Sequence, residues 1–124
     1  MSLVGAWVAV AVTVLLTVYG QIVIKLRVLH AGAMGSSIED KAVFLAKMLL
    51  DPWVLSGLFG AFFAGFAWMA AMTRLPLSLA YPFTSLAFVL VVIISAIFLQ
   101  EQVKLMQVAG IGLVICGLIL IARA

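Results

Sequence analysis

Four long apolar runs constrain this chain more than any other feature of its sequence. Crossing a hydrocarbon core of about 30 Å takes about 20 helical residues, so each run is long enough to span a bilayer. The runs are Leu3–Leu26, Trp53–Met72, Leu77–Leu99 and Leu105–Ala122. Only 9% of the 124 side chains are charged and 68% are apolar, which is far from the balance of a soluble domain. The sequence therefore predicts an all-α integral membrane protein with four transmembrane helices, one domain over residues 1–124.

The connections between the runs predict how these helices are arranged. Residues 73–76 and 100–104 are short links, which make the second, third and fourth spans antiparallel neighbours. One side of the membrane carries five basic residues and the other carries two: Lys25, Arg27, Lys41, Lys47 and Lys104 against Arg74 and Arg123. Because basic residues collect on the cytoplasmic side, we expect the first connection in the cytoplasm and both termini outside.

The first connection is long enough to contain a helix of its own. Ser36 and Glu39 form an S-x-x-E capping box ahead of the run IEDKAVFLAKMLL. Apolar residues at positions 44, 45, 48 and 49 share one face of that run, and the lysines at 41 and 47 point away from it. The pattern predicts a short amphipathic helix in the membrane interface, either as an anchor for the loop or with a further role. Asp51 then caps the second span.

A polar stripe runs along the first span. Its members stand four residues apart: Thr13, Thr17, Gln21 and Lys25. On a helix this spacing gives one slowly turning face, from mid-membrane to the charged end. In one interpretation the hydroxyls bond their own backbone, Gln21 bonds a neighbouring helix and Lys25 reaches the headgroups. In the other, the stripe meets a polar substrate. The first interpretation is favoured for the two threonines, and both stay open for Gln21.

The third span opens with LPLSLAYPFTSLAF (75–88), which places a proline inside a helix. Pro82 has no N–H, so the carbonyl of Ser78 loses its helical partner. In hydrocarbon, such a carbonyl is tolerated only where protein or a water-filled cavity serves it. Ser78, Tyr81 and Ser85 are spaced three and four apart and share that face. The pattern favours a polar cavity at the kink. The alternative is a packed kink with Tyr81 at the membrane interface.

Small residues mark the fourth span as a packing surface. Gly110 and Gly117 stand seven residues apart, with Gly112 and Cys116 beside them. Small residues let helices approach closely in lipid, where no hydrophobic force drives helices together. We expect a packing seam here, within the chain or between subunits.

The remaining polar residues indicate no enzymatic site. Glu101 is expected to be a solvated loop charge that can pair with Lys104. One histidine and one cysteine cannot build a zinc site, and no P-loop or nucleophile motif occurs. We therefore expect no enzyme activity, no metal and no cofactor. A net charge of +3 on loops and span ends suits membrane lipids, and nucleic acid is not an expected partner.

The block SLAYPFTS, followed by a long span and then GIGLVICG, resembles the small multidrug resistance branch of the drug/metabolite transporter superfamily. The resemblance covers nearly the whole chain, including GQIVIK at the end of the first span. Drug exporters of that branch have a membrane carboxylate where this chain has Thr17. They also have a tryptophan three residues after the tyrosine of span three, where Thr84 stands here. Both features suited to a lipophilic cation are absent.

A closer resemblance is to the Arn-type subunits of the 4-amino-4-deoxy-L-arabinose–phosphoundecaprenol flippase. The matching residues are Gly20, Gln21 and Lys25 in span one, Pro76, Ala80, Tyr81, Pro82, Ser85 and Leu86 in span three, and Glu101 after it. The resemblance implies a flippase subunit of the bacterial inner membrane that moves a polyprenyl-phosphate-linked sugar. It also implies a dimer, either with a second copy or with a similar four-span subunit. The identity of the sugar is not carried over.

A phosphate-linked substrate agrees with the absence of a membrane acid. A carboxylate inside the spans would repel the phosphate, whereas Lys25 and Arg27 at the span end can bind it. The expected substrate-binding residues are Thr17, Gln21, Lys25, Ser78, Tyr81 and Ser85. Two alternatives stay open. One is an exporter of cationic compounds with a substitute for the missing acid, and the other is a membrane scaffold that stabilises a glycosyltransferase.

Overall fold

The computed structural model describes all 124 residues, and every regular element is helical. The elements are α1 (Leu3–Ala31), α2 (Ile38–Leu50), α3 (Pro52–Met72), α4 (Leu77–Ala80), a 3-10 turn (Tyr81–Thr84), α5 (Ser85–Ile97) and α6 (Leu105–Arg123). Four segments are long and apolar enough to cross a membrane: α1, α3, α4 to α5 together, and α6. The predicted fold class is confirmed, including the additional helix between the first two spans.

The end of α1 and the N-cap of α2 differ from those that the sequence predicts. α1 continues past Leu26 to Ala31, because no helix breaker occurs before Gly32, whose φ of 86° ends the helix. At α2 the N-cap is Ser37, whose hydroxyl accepts the N–H of Asp40 at 3.0 Å. The predicted capping box, which starts at Ser36, is therefore wrong by one residue.

α1 and α3 form the closest pair of helices. A Cβ built on Gly20 would stand 3.0 Å from the carbonyl oxygen of Gly57, and one built on Gly57 would stand 3.3 Å from the Cα of Gly20. Gly60 extends the contact beside Tyr19 and Leu16. Because lipid supplies no hydrophobic force between helices, this close backbone approach provides the packing that holds α1 to α3.

Aromatic rings surround the core at the N-terminal end of α1. Trp7 lies edge-on to Phe83 with ring centroids 5.0 Å apart, and Trp68 lies edge-on to Tyr81 at 6.2 Å. The buried residues between them are small or aliphatic: Ala6, Ala9, Val10, Ala71, Leu75 and Ala80. We call this region, defined by the four rings, the aromatic end. Its ring pairs connect the 3-10 turn to α1 and α3.

Pro82 interrupts the third span, as its missing N–H requires. The chain forms a 3-10 turn between α4 and α5 instead of a continuous α-helix. The hydroxyls of Thr84 and Ser85 donate to the carbonyls of Tyr81 and Pro82, each at 2.6 Å. The turn thus satisfies part of its own backbone, which hydrocarbon surroundings require.

α6 makes few contacts with the other helices. Leu118 is its one buried residue. A Cβ added to Gly110, Gly112 or Gly117 would meet no atom within 4 Å. The packing seam predicted for this helix is therefore not made within the chain, and its glycine face is open.

Candidate functional site

The polar stripe of α1 turns from the α3 side of the bundle toward the α5 side. Residues four apart on an α-helix are rotated by about 40°, so Thr13 and Lys25 differ by about 120° around the axis. The hydroxyl of Thr13 donates to the carbonyl of Ala9 at 2.9 Å and reaches the carbonyl of Ala64, in α3, at 3.3 Å. Lys25 lies beside Glu101, which follows α5. The stripe therefore connects the two neighbours of α1.

Two residues in the middle of the stripe use their polar atoms differently. The hydroxyl of Thr17 donates to the carbonyl of Thr13 at 2.7 Å, which is the backbone bond expected for the threonines. Its oxygen can still accept a hydrogen bond. Gln21 is exposed on the surface of α1. Its amide group is therefore accessible to a bound molecule.

Lys25 and Glu101 form an ion pair at the end of the stripe. The ammonium nitrogen lies 3.4 Å from Oε1 of the carboxylate, and the side chains are 48% and 45% exposed. The sequence pairs Glu101 with Lys104, and the structure corrects this. Pairing at a spacing of three needs a helix, and α6 begins only at Leu105.

A second ion pair involves Arg27. Its Nε donates to Oδ2 of Asp51 at 2.8 Å, and the side chains are 34% and 11% exposed. This hydrogen bond is the main cause that lowers the pKa of Asp51 from its ordinary value of 3.8, with a further contribution from the Trp53 N–H. The pair joins the end of α1 to the start of α3. Arg27, which the sequence predicts as a phosphate ligand, already has an anionic partner.

We call the region of these two ion pairs the charged end. Its four residues are Lys25, Arg27, Asp51 and Glu101. The charged end holds no group of three or more His, Cys, Asp and Glu side chains that could bind a metal ion, and neither does any other part of the chain. What it offers chemically is a half-exposed ammonium group next to a polar helix face.

The hydroxyl residues of the third span lie at the opposite end of the bundle. Phe83 contacts Trp7, and Trp7 stands roughly 27 Å from Lys25 along α1 at about 1.5 Å per residue. Ser78, Tyr81 and Ser85 lie within five residues of Phe83 in the chain and so belong to this end of the bundle. The structure therefore divides the six predicted substrate residues. The three of the third span lie at the aromatic end and Lys25 lies at the opposite end. Thr17 and Gln21 lie between these ends on α1.

A cavity between α1 and α5 borders the 3-10 turn. Its volume is about 440 Å³ and all of its lining residues are hydrophobic, among them Trp7, Val14, Phe83 and Leu90. This lining differs from the polar cavity predicted at Pro82, because it offers no hydrogen bond to a sugar. It suits a hydrocarbon chain. Val14 lies within about 20° of Lys25 around the axis of α1, so cavity and ion pair are on the same side of the helix.

Residues 2–123 match the family model of the EamA-like transporters. Three curated relatives are flippase subunits by name. The probable 4-amino-4-deoxy-L-arabinose-phosphoundecaprenol flippase subunit ArnE of Aeromonas hydrophila is 34% identical over 75 residues, which are 60% of this chain and 66% of that protein. The probable ArnE subunit of Pseudomonas paraeruginosa is 29% identical over 111 residues, 90% of this chain and 91% of that protein.

The third relative carries the name of the other subunit. The probable ArnF subunit of Photorhabdus laumondii is 33% identical over 72 residues, 56% of this chain and 57% of that protein. The Aeromonas match covers slightly less than two thirds of its relative's length. No solved structure gives a significant match. The match to the transporter family confirms the resemblance that the sequence motifs indicate.

Proposed function

Because the chain belongs to the EamA-like transporter family, within the drug/metabolite transporter superfamily, we propose that it is a flippase subunit for a polyprenyl-phosphate-linked sugar. It is a multi-pass protein of the inner membrane. Its relatives are named as subunits of a flippase for such a lipid, which supports the substrate class. On this proposal residues 1–124 are one transporter domain, which moves a lipid and catalyses no covalent chemistry.

The observation that carries the proposal is a polar stripe without an acid that ends in an accessible ammonium group. Thr17 occupies the middle of that stripe and Lys25 its end. A carboxylate in this place would attract cations and repel a phosphate, whereas an ammonium group forms charge-assisted hydrogen bonds with phosphate oxygens. The stripe is therefore suited to the anionic headgroup of a lipid and poorly suited to a cationic drug.

We place the three parts of the substrate along α1. The phosphate binds at Lys25, and the sugar meets Gln21 and Thr17. The prenyl chain lies in the bilayer and enters the apolar cavity near Val14, roughly 16 Å from Lys25 along the helix. Ser78, Tyr81 and Ser85, at the aromatic end, can then contact the headgroup only after it has crossed the membrane.

The open face of α6 supports a dimer. Gly110, Gly112 and Gly117 lie in open space, although small residues in membrane helices are a means of close packing. We propose that a second four-span subunit, identical or similar, packs on this face. In Gly110→Leu and Gly117→Leu, energy transfer between labelled subunits in bilayers should fall. In Gly65→Leu, which also adds a side chain in open space but on α3, energy transfer should stay unchanged.

Flipping by the purified protein in liposomes tests the function. A fluorescent polyprenyl-phosphate sugar is added to both leaflets, and the fraction protected from a membrane-impermeant quencher is followed in time. The proposal expects full quenching with the protein present and about half without it. Protein that leaves half of the lipid protected would contradict a flippase and favour the scaffold alternative. Growth in quaternary ammonium compounds conferred by this chain would favour the exporter alternative instead.

A further inference from the structure

The two ion pairs of the charged end differ in how firmly their partners are held. Arg27 and Asp51 are 2.8 Å apart, and only 11% of the Asp51 side chain is exposed. Lys25 and Glu101 are 3.4 Å apart with close to half of each side chain exposed. Charge-assisted N–H···O bonds are typically about 2.7–2.9 Å long. The first pair therefore makes a full hydrogen bond, and the second is a loose electrostatic contact that water and other anions can reach.

Backbone structure keeps Glu101 beside Lys25 despite this loose contact. Gln100, the residue before it, has a φ of 53°, a left-handed conformation that is uncommon for any residue other than glycine. After this turn the N–H of Glu101 donates to the carbonyl of Ser95, in α5, at 3.1 Å. Ser95 itself is buried. The backbone of Glu101 is thus fixed to α5, while its carboxylate remains free to leave Lys25.

We propose that Glu101 is an internal competitor for the substrate phosphate at Lys25. This inference rests on the proposed function, which assigns the phosphate to Lys25. In the empty protein the carboxylate neutralises the ammonium group. An arriving phosphate displaces the carboxylate, and on release the carboxylate binds Lys25 again. Glu101 is in this sense a specificity-determining residue, because only an anion that binds Lys25 better than a carboxylate can hold the site.

The proposal has a direct consequence for binding. Removing the negative charge of Glu101 frees Lys25 in the empty protein, so phosphate lipids should bind more tightly and leave more slowly. Half-exposed ion pairs are weak, so the gain should be about two- to fivefold in Kd. The gain must vanish when Lys25 is absent, because the competition acts only through that side chain.

Binding of undecaprenyl phosphate, which has no sugar, tests the inference in detergent by titration of the purified protein. We expect the Kd of Glu101→Gln to fall about two- to fivefold relative to the parent. Glu39→Gln is the matched control, because it makes the same change in net charge at an exposed acid of α2 that is in neither ion pair. Its Kd should stay at the parent value. Lys25→Gln and the double variant Lys25→Gln with Glu101→Gln should bind equally weakly.

A second variant, Glu101→Asp, keeps the inference testable if Glu101→Gln does not fold. Glu101→Asp keeps the charge on a shorter side chain, which retracts the carboxylate from Lys25, so its Kd should lie between those of the parent and Glu101→Gln. All variants are compared at equal helical content and equal elution volume.

Several outcomes would overturn the inference. An equal gain in Glu101→Gln and Glu39→Gln would mean a general charge effect. Weaker binding by Glu101→Gln would mean that the carboxylate positions Lys25 for its ligand. An unchanged Kd in Glu101→Gln, together with weaker binding by Lys25→Gln, would remove the competitor and leave the proposed phosphate site standing. A Kd of Lys25→Gln equal to that of the parent would contradict both the competitor role of Glu101 and the phosphate site at Lys25.

Discussion

The two ends of α1 contact their neighbours through different kinds of interaction. At the charged end, ion pairs join α1 to α3 and to the link after α5. At the aromatic end, edge-on ring pairs join the 3-10 turn to α1 and α3. An ion pair can exchange its partner for another anion, whereas a ring pair can only separate. On our proposal, ligand exchange belongs to the charged end, and the aromatic end holds the helices in place.

The largest effect is expected from Lys25→Gln. If Lys25 binds the lipid phosphate, the variant loses a charge-assisted contact of roughly 1.5–3 kcal/mol. This corresponds to about tenfold or more in affinity. The flipping rate at low substrate should fall accordingly, with expression and dimer formation unchanged, because a half-exposed lysine at a helix end contributes little to folding. The rate is measured in the liposome assay at several substrate densities.

Lys25→Arg tests whether a positive charge at this position is enough for transport. It should keep much of the activity, since a positive charge near the phosphate matters more here than the fork geometry of a guanidinium. If Lys25→Gln flips lipid like the parent, Lys25 only anchors the helix end in the headgroups and the charged end is not the binding end.

A smaller loss is expected from an acid in the middle of the stripe. Thr17 is half-buried, and a carboxylate there would either repel the phosphate or stay protonated in low dielectric. Thr17→Glu should therefore flip lipid more slowly than the parent, and no faster than the size-matched control Thr17→Gln. The measurement is the initial flipping rate of the three proteins in one lipid mixture. A rate in Thr17→Glu above that of the parent would show that an acid assists this transport.

Local sequence features predicted the helices well. The spans follow from the length of the apolar runs, and the break in the third span follows from Pro82 alone. The Lys25–Glu101 pair and the Gly20–Gly57 contact could not be found this way, because each joins residues far apart in sequence. Their formation depends on the register between helices, which no local spacing encodes.

The same limit applies to the candidate site. Spacing along each helix predicts which hydroxyls share a face, but it does not say at which membrane depth two helices meet. For this reason the sequence predicts the third-span hydroxyls and Lys25 together as substrate ligands, although the structure has them at opposite ends of the bundle. The bond between Thr17 and its own helix backbone, by contrast, was predictable from one helix alone.

Arg27→Gln should affect stability more than transport. The variant leaves Asp51 without its main hydrogen-bond donor, so the thermal midpoint at neutral pH should fall. Because the pKa of Asp51 is lowered in the folded protein, this stabilisation is fully present above pH 3.8 and is lost as the pH falls through the lower folded-state pKa. The difference in midpoint between parent and variant should shrink accordingly in acid.

The control for Arg27→Gln is Lys41→Gln, which removes one positive charge from an exposed site of α2 that is in neither ion pair. Its thermal midpoint should match that of the parent at every pH.

The flipping rate should fall less in Arg27→Gln than in Lys25→Gln. The reverse order would place the phosphate at Arg27, in exchange with Asp51, and would make the tighter ion pair the functional one.

The smallest effect is expected at the aromatic end, from Tyr81→Phe. The ring of Tyr81 packs edge-on against Trp68, and phenylalanine preserves that contact, while 63% of the residue is exposed. A hydroxyl hydrogen bond inside a membrane protein contributes about 0.6 kcal/mol on average, so a substrate contact of average strength here would change the flipping rate by about threefold. Tyr81→Ala also removes the ring pair, worth about 0.5–1.5 kcal/mol, and should lower the thermal midpoint where Tyr81→Phe does not.

A change in flipping rate of about threefold or less in Tyr81→Phe would agree with an aromatic end that serves packing. A loss as large as that of Lys25→Gln would make the Tyr81 hydroxyl a substrate ligand. The assignment of substrate binding to the charged end and of packing to the aromatic end would then be wrong.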